Sequence, residues 1–167
     1  ERIAVVPNGL DFSAAIPQTA PPEPPIIGFL ARQCMGKGLH MLVDAYILVA
    51  ANHPTVRLSI AGTCTMADDP FIRQQQAKLE RAGLMSRVQW RRDLTPEEKA
   101  EHFRSLTLLS VPAEYGEAFG LYVIEAMACG VPVVQPDSAA FPELIAATNG
   151  GLTVEPRNPA ADRKSVV

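Results

Sequence analysis

The chain of 167 residues has the length of one domain and is long enough to bury a sizeable hydrophobic core. Its composition, 47% hydrophobic and 20% charged, is ordinary for a soluble globular protein. The formal net charge of −3 excludes a general attraction to a nucleic acid backbone or an anionic membrane, so any bound phosphate requires a local site.

The first 25 residues are predicted to lead into the domain. A short apolar run, 3–6, is a candidate strand and is followed by the turn signal Pro7-Asn8-Gly9. Residues 16–25, IPQTAPPEPP, contain too many prolines for a helix or an inner strand and predict an extended connector. Because the chain does not begin with Met, we expect it to be a piece of a longer protein.

From residue 26 to 156, apolar runs of strand length alternate with helical patterns. Strands are predicted within PIIGFLA, VRLSIAG, RVQWRRD, LTLLSVP, VPVVQ and GLTVEP. Helices are predicted within GLHMLVDAYILVAANHP, DPFIRQQQAKLERAGL and TPEEKAEHFRSL, from about 118 to 129, and after Pro142. This alternation predicts an α/β fold, a Rossmann-like parallel sheet of about six strands with helices on both faces. Ligands bind such sheets at the carboxyl ends of the strands, where the strand order reverses.

The loop after the first strand, GFLARQCMGKGLH, carries two cations. Arg32 and Lys37 flank a turn that opens a helix at about Gly38. A helix N-terminus combined with two cations forms an anion site, because free N–H groups add to the side-chain charges. The alternative is that both residues are solvated loop charges.

The loop after the fourth strand leads into two carboxylates, Glu117 and Glu125, eight positions apart. A helix beginning near Ala118 places Glu117 at its start and Glu125 two turns inside, about 12 Å further along the axis. Gly120, which has no side chain, is expected to let a ligand approach the first backbone amides closely. The alternative makes Glu117 a carboxylate favourable to the helix dipole and Glu125 a buried salt-bridge partner.

Other candidate motifs are absent or ordinary. The sequence contains neither GxGxxG after a strand nor GxxxxGK[ST], which disfavours a common dehydrogenase or P-loop site. His40, His53 and His102 lack metal-ligand spacing, and Asp68-Asp69 before Pro70 indicate a helix cap. Three cysteines without a CxxC pair argue for a reducing, cytoplasmic location, and no apolar stretch has the length of a membrane span.

Five segments of the chain resemble the retaining two-domain glycosyltransferases called group 1 or family 4. EAFGLYVIE, residues 117–125, resembles the Glu-x7-Glu signature of that family, and VVPNGLD resembles the entry into its second domain. GFLARQCMGKGL, EAMACGVPVV and FPELI…GGLTV match in order and spacing, so the resemblance covers nearly 1–156. The chain departs from the family at Trp90-Arg91-Arg92, where relatives usually have a glycine-containing turn, and at Ala139, where relatives often have Gly.

The resemblance implies that this chain is the nucleotide-sugar-binding half of a two-domain fold known as GT-B. Arg32 and Lys37 would neutralise the diphosphate, Glu117 would contact the donor sugar as the catalytic residue, and Glu125 would bind the ribose. The backbone of Phe119, Gly120 and Leu121 would receive phosphate and sugar oxygens. In the family the transfer retains the anomeric configuration and requires neither a metal nor a cofactor beyond the nucleotide-sugar substrate.

We therefore expect the donor-binding domain of a hexosyltransferase that is inactive without its acceptor domain. The partners implied are the nucleotide sugar and that preceding domain. No nucleic acid partner is expected, and peripheral membrane contact of the full-length enzyme stays open. Residues 157–167 are predicted to be a truncated or poorly packed tail. Two alternatives remain, a non-catalytic nucleotide-sugar-binding module and a sugar-nucleotide epimerase of the same fold.

Overall fold

The computed structural model describes residues 9–10 and 15–158 and contains one parallel sheet. The strands are β1 (Ile26–Leu30), β2 (Arg57–Ala61), β3 (Val88–Trp90), β4 (Leu108–Ser110), β5 (Val133–Pro136) and β6 (Gly151–Val154). The helices are α1 (Leu39–Asn52), α2 (Asp69–Arg81), α3 (Pro96–Arg104), α4 (Leu121–Ala128) and α5 (Phe141–Thr148). Short 3₁₀ turns at Met35–Lys37, Met66–Asp68 and Met85–Arg87 precede α1, α2 and β3.

The strand order is β3-β2-β1-β4-β5-β6, with every neighbouring pair parallel. The prediction of a six-stranded, Rossmann-like parallel sheet is therefore confirmed. The order reverses between β1 and β4, and right-handed crossovers on the two sides of this point place α1 and α2 on one face and α3, α4 and α5 on the other. The carboxyl ends of β1 and β4 consequently flank the crevice in which such sheets bind ligands.

The sheet is covered by apolar side chains on both faces, as the unbroken apolar runs predicted. The largest fully buried side chains are Tyr46, Phe29, Phe103, Phe141, Leu39, Leu42, Leu58, Ile60, Ile72, Leu79, Leu106 and Leu109. Tyr46 donates its hydroxyl hydrogen bond to the backbone carbonyl of Val56 at 3.2 Å, so its one polar atom is satisfied inside the core.

Local capping signals define the helix ends. Thr95 accepts a hydrogen bond from the Glu98 N–H at 3.2 Å, and the Glu98 carboxylate accepts one from the Thr95 N–H at 2.8 Å, which is a complete capping box. Pro96 occupies the first turn of α3, where its missing N–H is harmless. The prediction for this helix start is confirmed.

The predicted start of α4 near Ala118 is wrong, because the helix begins at Leu121. Gly120 precedes it with φ +75°, a left-handed conformation that separates the loop from the helix. Glu117 therefore lies in the loop outside the helix and Glu125 lies about one turn inside it, so the estimated 12 Å along a single helix axis does not apply.

The proline-rich connector contains neither helix nor strand, but bends near residues 19–20 and 23–24. Gln18 fixes it to the domain: its N–H donates to the Cys129 carbonyl at 3.0 Å, and its side-chain amide donates to the Leu106 carbonyl at 3.2 Å. The predicted lead-in strand and most of the predicted tail lie outside the described residues. The domain boundaries at 25 and 156 remain predictions.

Candidate functional site

The loops after β1 and β4 are in direct contact at the reversal point of the sheet. The Glu114 N–H donates to the Gly36 carbonyl at 3.1 Å, which joins the two loops through their backbones. Gly38, with φ +73°, lies so close to the second loop that a Cβ there would be 1.8 Å from the Pro112 carbonyl oxygen. This contact holds the end of the first loop at a fixed distance from the second.

Lys37 and Glu117, one from each loop, form an ion pair. The Lys37 Nζ donates to the Glu117 Oε2, and each side chain is 19% exposed. The ammonium also lies 5.4 Å from the ring centroid of Tyr115 and 5.9 Å from that of Tyr122, within the range of cation–π attraction. The structure thus brings two of the predicted site residues together and places the Lys37 ammonium near two aromatic rings.

Glu117 is held from two further directions. The Tyr122 hydroxyl donates to the Glu117 Oε2 at 3.4 Å, and the Glu117 backbone carbonyl accepts from the Ala140 N–H at 3.3 Å. Burial, followed by the nearby Glu117 charge, raises the pKa of Tyr122, so its hydroxyl keeps its proton. The carboxylate is therefore positioned by Lys37 and Tyr122, and the alternative of a helix-start carboxylate does not apply because α4 begins later.

Arg32, in the same loop as Lys37, is paired with Asp68 rather than with Glu117. Its Nε donates to the Asp68 Oδ2 at 3.2 Å and its Nη2 to the Asp68 Oδ1 at 3.1 Å. Asp68 ends the 3₁₀ turn before α2 and forms a capping box with Thr65. Asp68 thus stands at the N-cap position of α2, as predicted, but its side chain caps no N–H group of that helix. Its contact with Arg32 was not foreseen.

Glu125 has a partner that the sequence analysis did not identify. Lys99 of α3 donates to the Glu125 Oε1 at 2.5 Å, and the Glu125 side chain is 24% exposed. The alternative of a salt bridge therefore describes Glu125 in this structure, although the pair is only partly buried, and its contact with a ribose stays a prediction. A helical lysine after a capping box looks like a solvent-facing residue, so no local signal marked Lys99.

The reason for glycine at position 120 differs from the expected one. A Cβ at Gly120 would be 3.1 Å from Phe141, and the backbone has φ +75°, so glycine serves the turn and the packing of α5. Phe119 lies in the loop before this turn. Leu121 opens α4 and is 39% exposed, beside the N–H groups of the first turn that have no partner within the helix.

The two departures from the family pattern have structural explanations. The Trp90 indole N–H donates to the buried Gln33 Oε1 at 2.5 Å, and the Gln33 amide donates to the carbonyls of Gly62 and Arg91 at 2.9 and 2.7 Å. Gln33, missed in the sequence, therefore ties together the loops after β1, β2 and β3. Ala139 has φ +52°, a left-handed conformation that glycine adopts with less strain, which agrees with the glycine that the resemblance implies here.

Residues 9–10 and 15–158 contain neither a metal-ligand cluster nor a membrane-spanning helix. No three His, Cys, Asp or Glu side chains there are grouped to hold a metal ion. No helix in the same ranges has the length and apolar character needed to cross a membrane.

Comparison with known proteins agrees with the fold and with the motifs. Residues 13–166 match the family model of the glycosyl transferases group 1. A D-inositol 3-phosphate glycosyltransferase from Corynebacterium jeikeium is 29% identical over 172 residues, which cover 95% of this chain and 41% of the relative. The chain thus spans well under half the length of that relative.

Solved structures share the same architecture. The C-terminal domain of a group 1 family glycosyl transferase from Francisella tularensis has a TM-score of 0.82 at 24% identity, covering 93% of this chain and 85% of that domain. Anabaena HepE, in complex with UDP and glucose, has a TM-score of 0.77 at 23% identity, covering 84% of this chain and 37% of its own. The six-stranded fold is therefore the one found in such domains.

Proposed function

The chain belongs to the glycosyl transferases group 1 family, and from that premise we propose that it is the donor-binding domain of a retaining hexosyltransferase. The donor would be a nucleoside-diphosphate hexose. The acceptor would be a hydroxyl group of a second substrate, bound by the rest of the protein. One observation carries this proposal, the pairing of Lys37 with Glu117 at the reversal point of the sheet. The complex of HepE with UDP and glucose, on the same fold, supports the class of ligand.

Lys37 would neutralise the diphosphate, which is the leaving group of the transfer. The Lys37 side chain is about one-fifth exposed, so its charge is screened less by water than a charge at an open surface. The first turn of α4, which the half-exposed Leu121 opens, adds N–H donors, and the guanidinium of Arg32 adds a second positive charge. These cationic and backbone groups would stabilise the leaving group, as a metal ion does in other transferases.

Glu117 would be released to the sugar when Lys37 turns to the phosphates. The two side chains are bonded to each other, so an anionic ligand that captures the ammonium also frees the carboxylate. Glu117 would then accept hydrogen bonds from sugar hydroxyls and stabilise positive charge developing at the anomeric carbon. Tyr122 would keep the freed carboxylate oriented, since its hydroxyl contacts the same oxygen.

Glu125 would accept hydrogen bonds from the ribose hydroxyls after exchanging Lys99 for them. This exchange lowers the binding free energy expected from the ribose contact, because the carboxylate already accepts from Lys99 at 2.5 Å. The three cysteines of the chain are free, which agrees with the proposed cytoplasmic location. Transfer itself would need the remaining part of the protein, and we expect this chain alone to bind donor without turnover.

A calorimetric panel of nucleoside diphosphates, with UDP and GDP as the first probes, tests the proposal. We expect one of them to bind, and Glu125→Ala to weaken that binding about tenfold, since a hydrogen bond to a charged group is worth roughly 1.5–3 kcal/mol and Lys99 must first be displaced. Glu117→Gln should leave the affinity for the free diphosphate within about threefold, because that ligand lacks the sugar.

Lys99→Ala is the matched control, since it breaks the same ion pair without removing the carboxylate. It should lower the melting temperature to a similar extent as Glu125→Ala but leave diphosphate affinity unchanged or tighter. If both variants lose stability equally and neither changes affinity, Glu125 serves only the ion pair. In the full-length protein, product with inverted anomeric configuration, or C2 epimerisation of the donor, would overturn the retaining transferase.

A further inference from the structure

Asp68 is a buried carboxylate that pairs with Arg32, a proposed donor-binding residue. It lies outside the loops after β1 and β4, the two central loops of the site. It is 8% exposed and follows β2, 36 residues from Arg32 along the chain. Its two oxygens accept separately from the Nε and Nη2 of Arg32, at 3.2 and 3.1 Å. Such a two-bond contact fixes the plane of the guanidinium as well as its place.

The carboxylate of Asp68 is itself immobilised. Its Oδ2 accepts from the backbone N–H of Thr65 at 2.8 Å and from the Thr65 hydroxyl at 2.8 Å. These hydrogen bonds, the backbone one first, hold the pKa of Asp68 below its usual range, so it stays ionised around neutral pH. Arg32 is therefore anchored to a group that neither rotates freely nor loses its charge.

The contact with Asp68 uses only one edge of the guanidinium. Five N–H groups are available, and the Nη1 pair makes no hydrogen bond within the described ranges. The Arg32 side chain is 51% exposed, so this outer edge is open to solvent. The outer edge consists of one Nη1 N–H and the second N–H of Nη2, and the Nη2 atom lies 3.5 Å from the Thr65 hydroxyl oxygen. These two N–H groups are parallel, the arrangement that suits two oxygens of a phosphate group.

We infer that Asp68 is a positioning residue for donor binding, holding Arg32 with its outer edge turned to the diphosphate; this rests on the proposed function. A long arginine side chain loses rotamer freedom when it binds a ligand, and anchoring it beforehand removes part of that loss. The opposite role is a competing acceptor that holds Arg32 away from the ligand. The two roles predict opposite signs for the effect of removing the Asp68 charge.

The test is the affinity of UDP and GDP for Asp68→Asn, measured by calorimetry. A positioning residue predicts weaker binding by about fivefold, typical of coupling between contacting charged residues. A competing acceptor predicts tighter binding, and either tighter or unchanged affinity overturns the inference. Asp44→Asn is the matched control, because it removes the same charge from a different ion pair. Asp44 of α1 pairs with Lys78 of α2, with 2.7 Å between the Lys78 Nζ and the Asp44 Oδ1.

The effect must also depend on Arg32. In an Arg32→Ala background, Asp68→Asn is expected to change affinity less than twofold, whereas an equal loss in both backgrounds would show that Asp68 acts on the fold instead. If Asp68→Asn does not fold, Arg32→Lys replaces it, since lysine keeps the charge but cannot make the two-bond contact. That variant should lose about fivefold, and wild-type affinity would overturn the inference. Failure of the wild-type chain to bind any nucleoside diphosphate would instead contradict the proposed function.

Discussion

Gly38→Ala is expected to lower the free energy of unfolding by about 3 kcal/mol or more, and Gly83→Ala by only about 1 kcal/mol. Both glycines have left-handed backbones, with φ +73° and +70°, so both substitutions carry the same conformational penalty. They differ in surroundings: a Cβ at Gly38 would lie 1.8 Å from the Pro112 carbonyl oxygen, while nothing lies within 4 Å at Gly83. The excess at Gly38 therefore measures the contact between the two central loops.

Urea unfolding of the two variants and the wild type gives this comparison directly. Because Pro112 cannot retreat without moving the loop that carries Glu117, Gly38→Ala should also weaken the binding of UDP or GDP. Gly83→Ala should leave binding unchanged. Equal destabilisation by the two substitutions would show that the loops separate easily, and the fixed distance between Lys37 and Glu117 would then lose its support.

Lowering the pH from 7.5 to 5 is expected to remove about 2 kcal/mol of stability through His102 alone. His102 is 1% exposed on α3, and burial, assisted by the nearby Arg91 charge, lowers its pKa from 6.5 to about 4. Below pH 6.5 the unfolded chain therefore binds a proton that the folded chain does not. Stability falls as the pH decreases from 6.5 towards 4, and is unaffected by this group above pH 7.5.

The measurement is the free energy of unfolding at the two pH values for the wild type and His102→Leu. The variant is expected to be less stable at pH 7.5, because Ser59 loses its contact with the imidazole Nδ1 at 3.4 Å, but its pH dependence should be smaller by about 2 kcal/mol. His53→Asn, at an exposed position, should retain the wild-type dependence. A dependence that survives in His102→Leu would show that other groups cause it.

The parts of the fold that follow from local patterns were predicted well. The capping box of Thr95 and Glu98 involves neighbours three residues apart, and the unbroken apolar strands indicate a sheet buried on both faces. Lys37 and Glu117 could be placed in one crevice, although they are 80 residues apart, because both follow strands in a fold with a known reversal point. The family motifs supplied the rest of that placement.

The side-chain partners could not be predicted in the same way. Asp68 and Lys99 lie 36 and 26 residues from the site residues they contact. Asp68 belongs to a capping box and Lys99 follows one, so the local pattern explains both residues without any contact to the site. The predicted start of α4 is three residues early because Gly120, placed in the first helical turn by the prediction, stands before the helix. Its positive φ and its packing against Phe141 are properties of the folded chain. The roles of the predicted site residues stay predictions.

The pairing of each cation with a carboxylate determines how the site acts at a distance. Arg32, Lys37 and Lys99 each lie beside a negative group of the same chain, so every pair is close to neutral beyond the range of salt screening, about 8–10 Å. The formal net charge of −3 adds no overall attraction for an approaching dianion. Under the proposed function, a donor would therefore arrive by random encounter, and discrimination between anions would begin only at contact, when a phosphate oxygen competes with a carboxylate for the same ammonium or guanidinium.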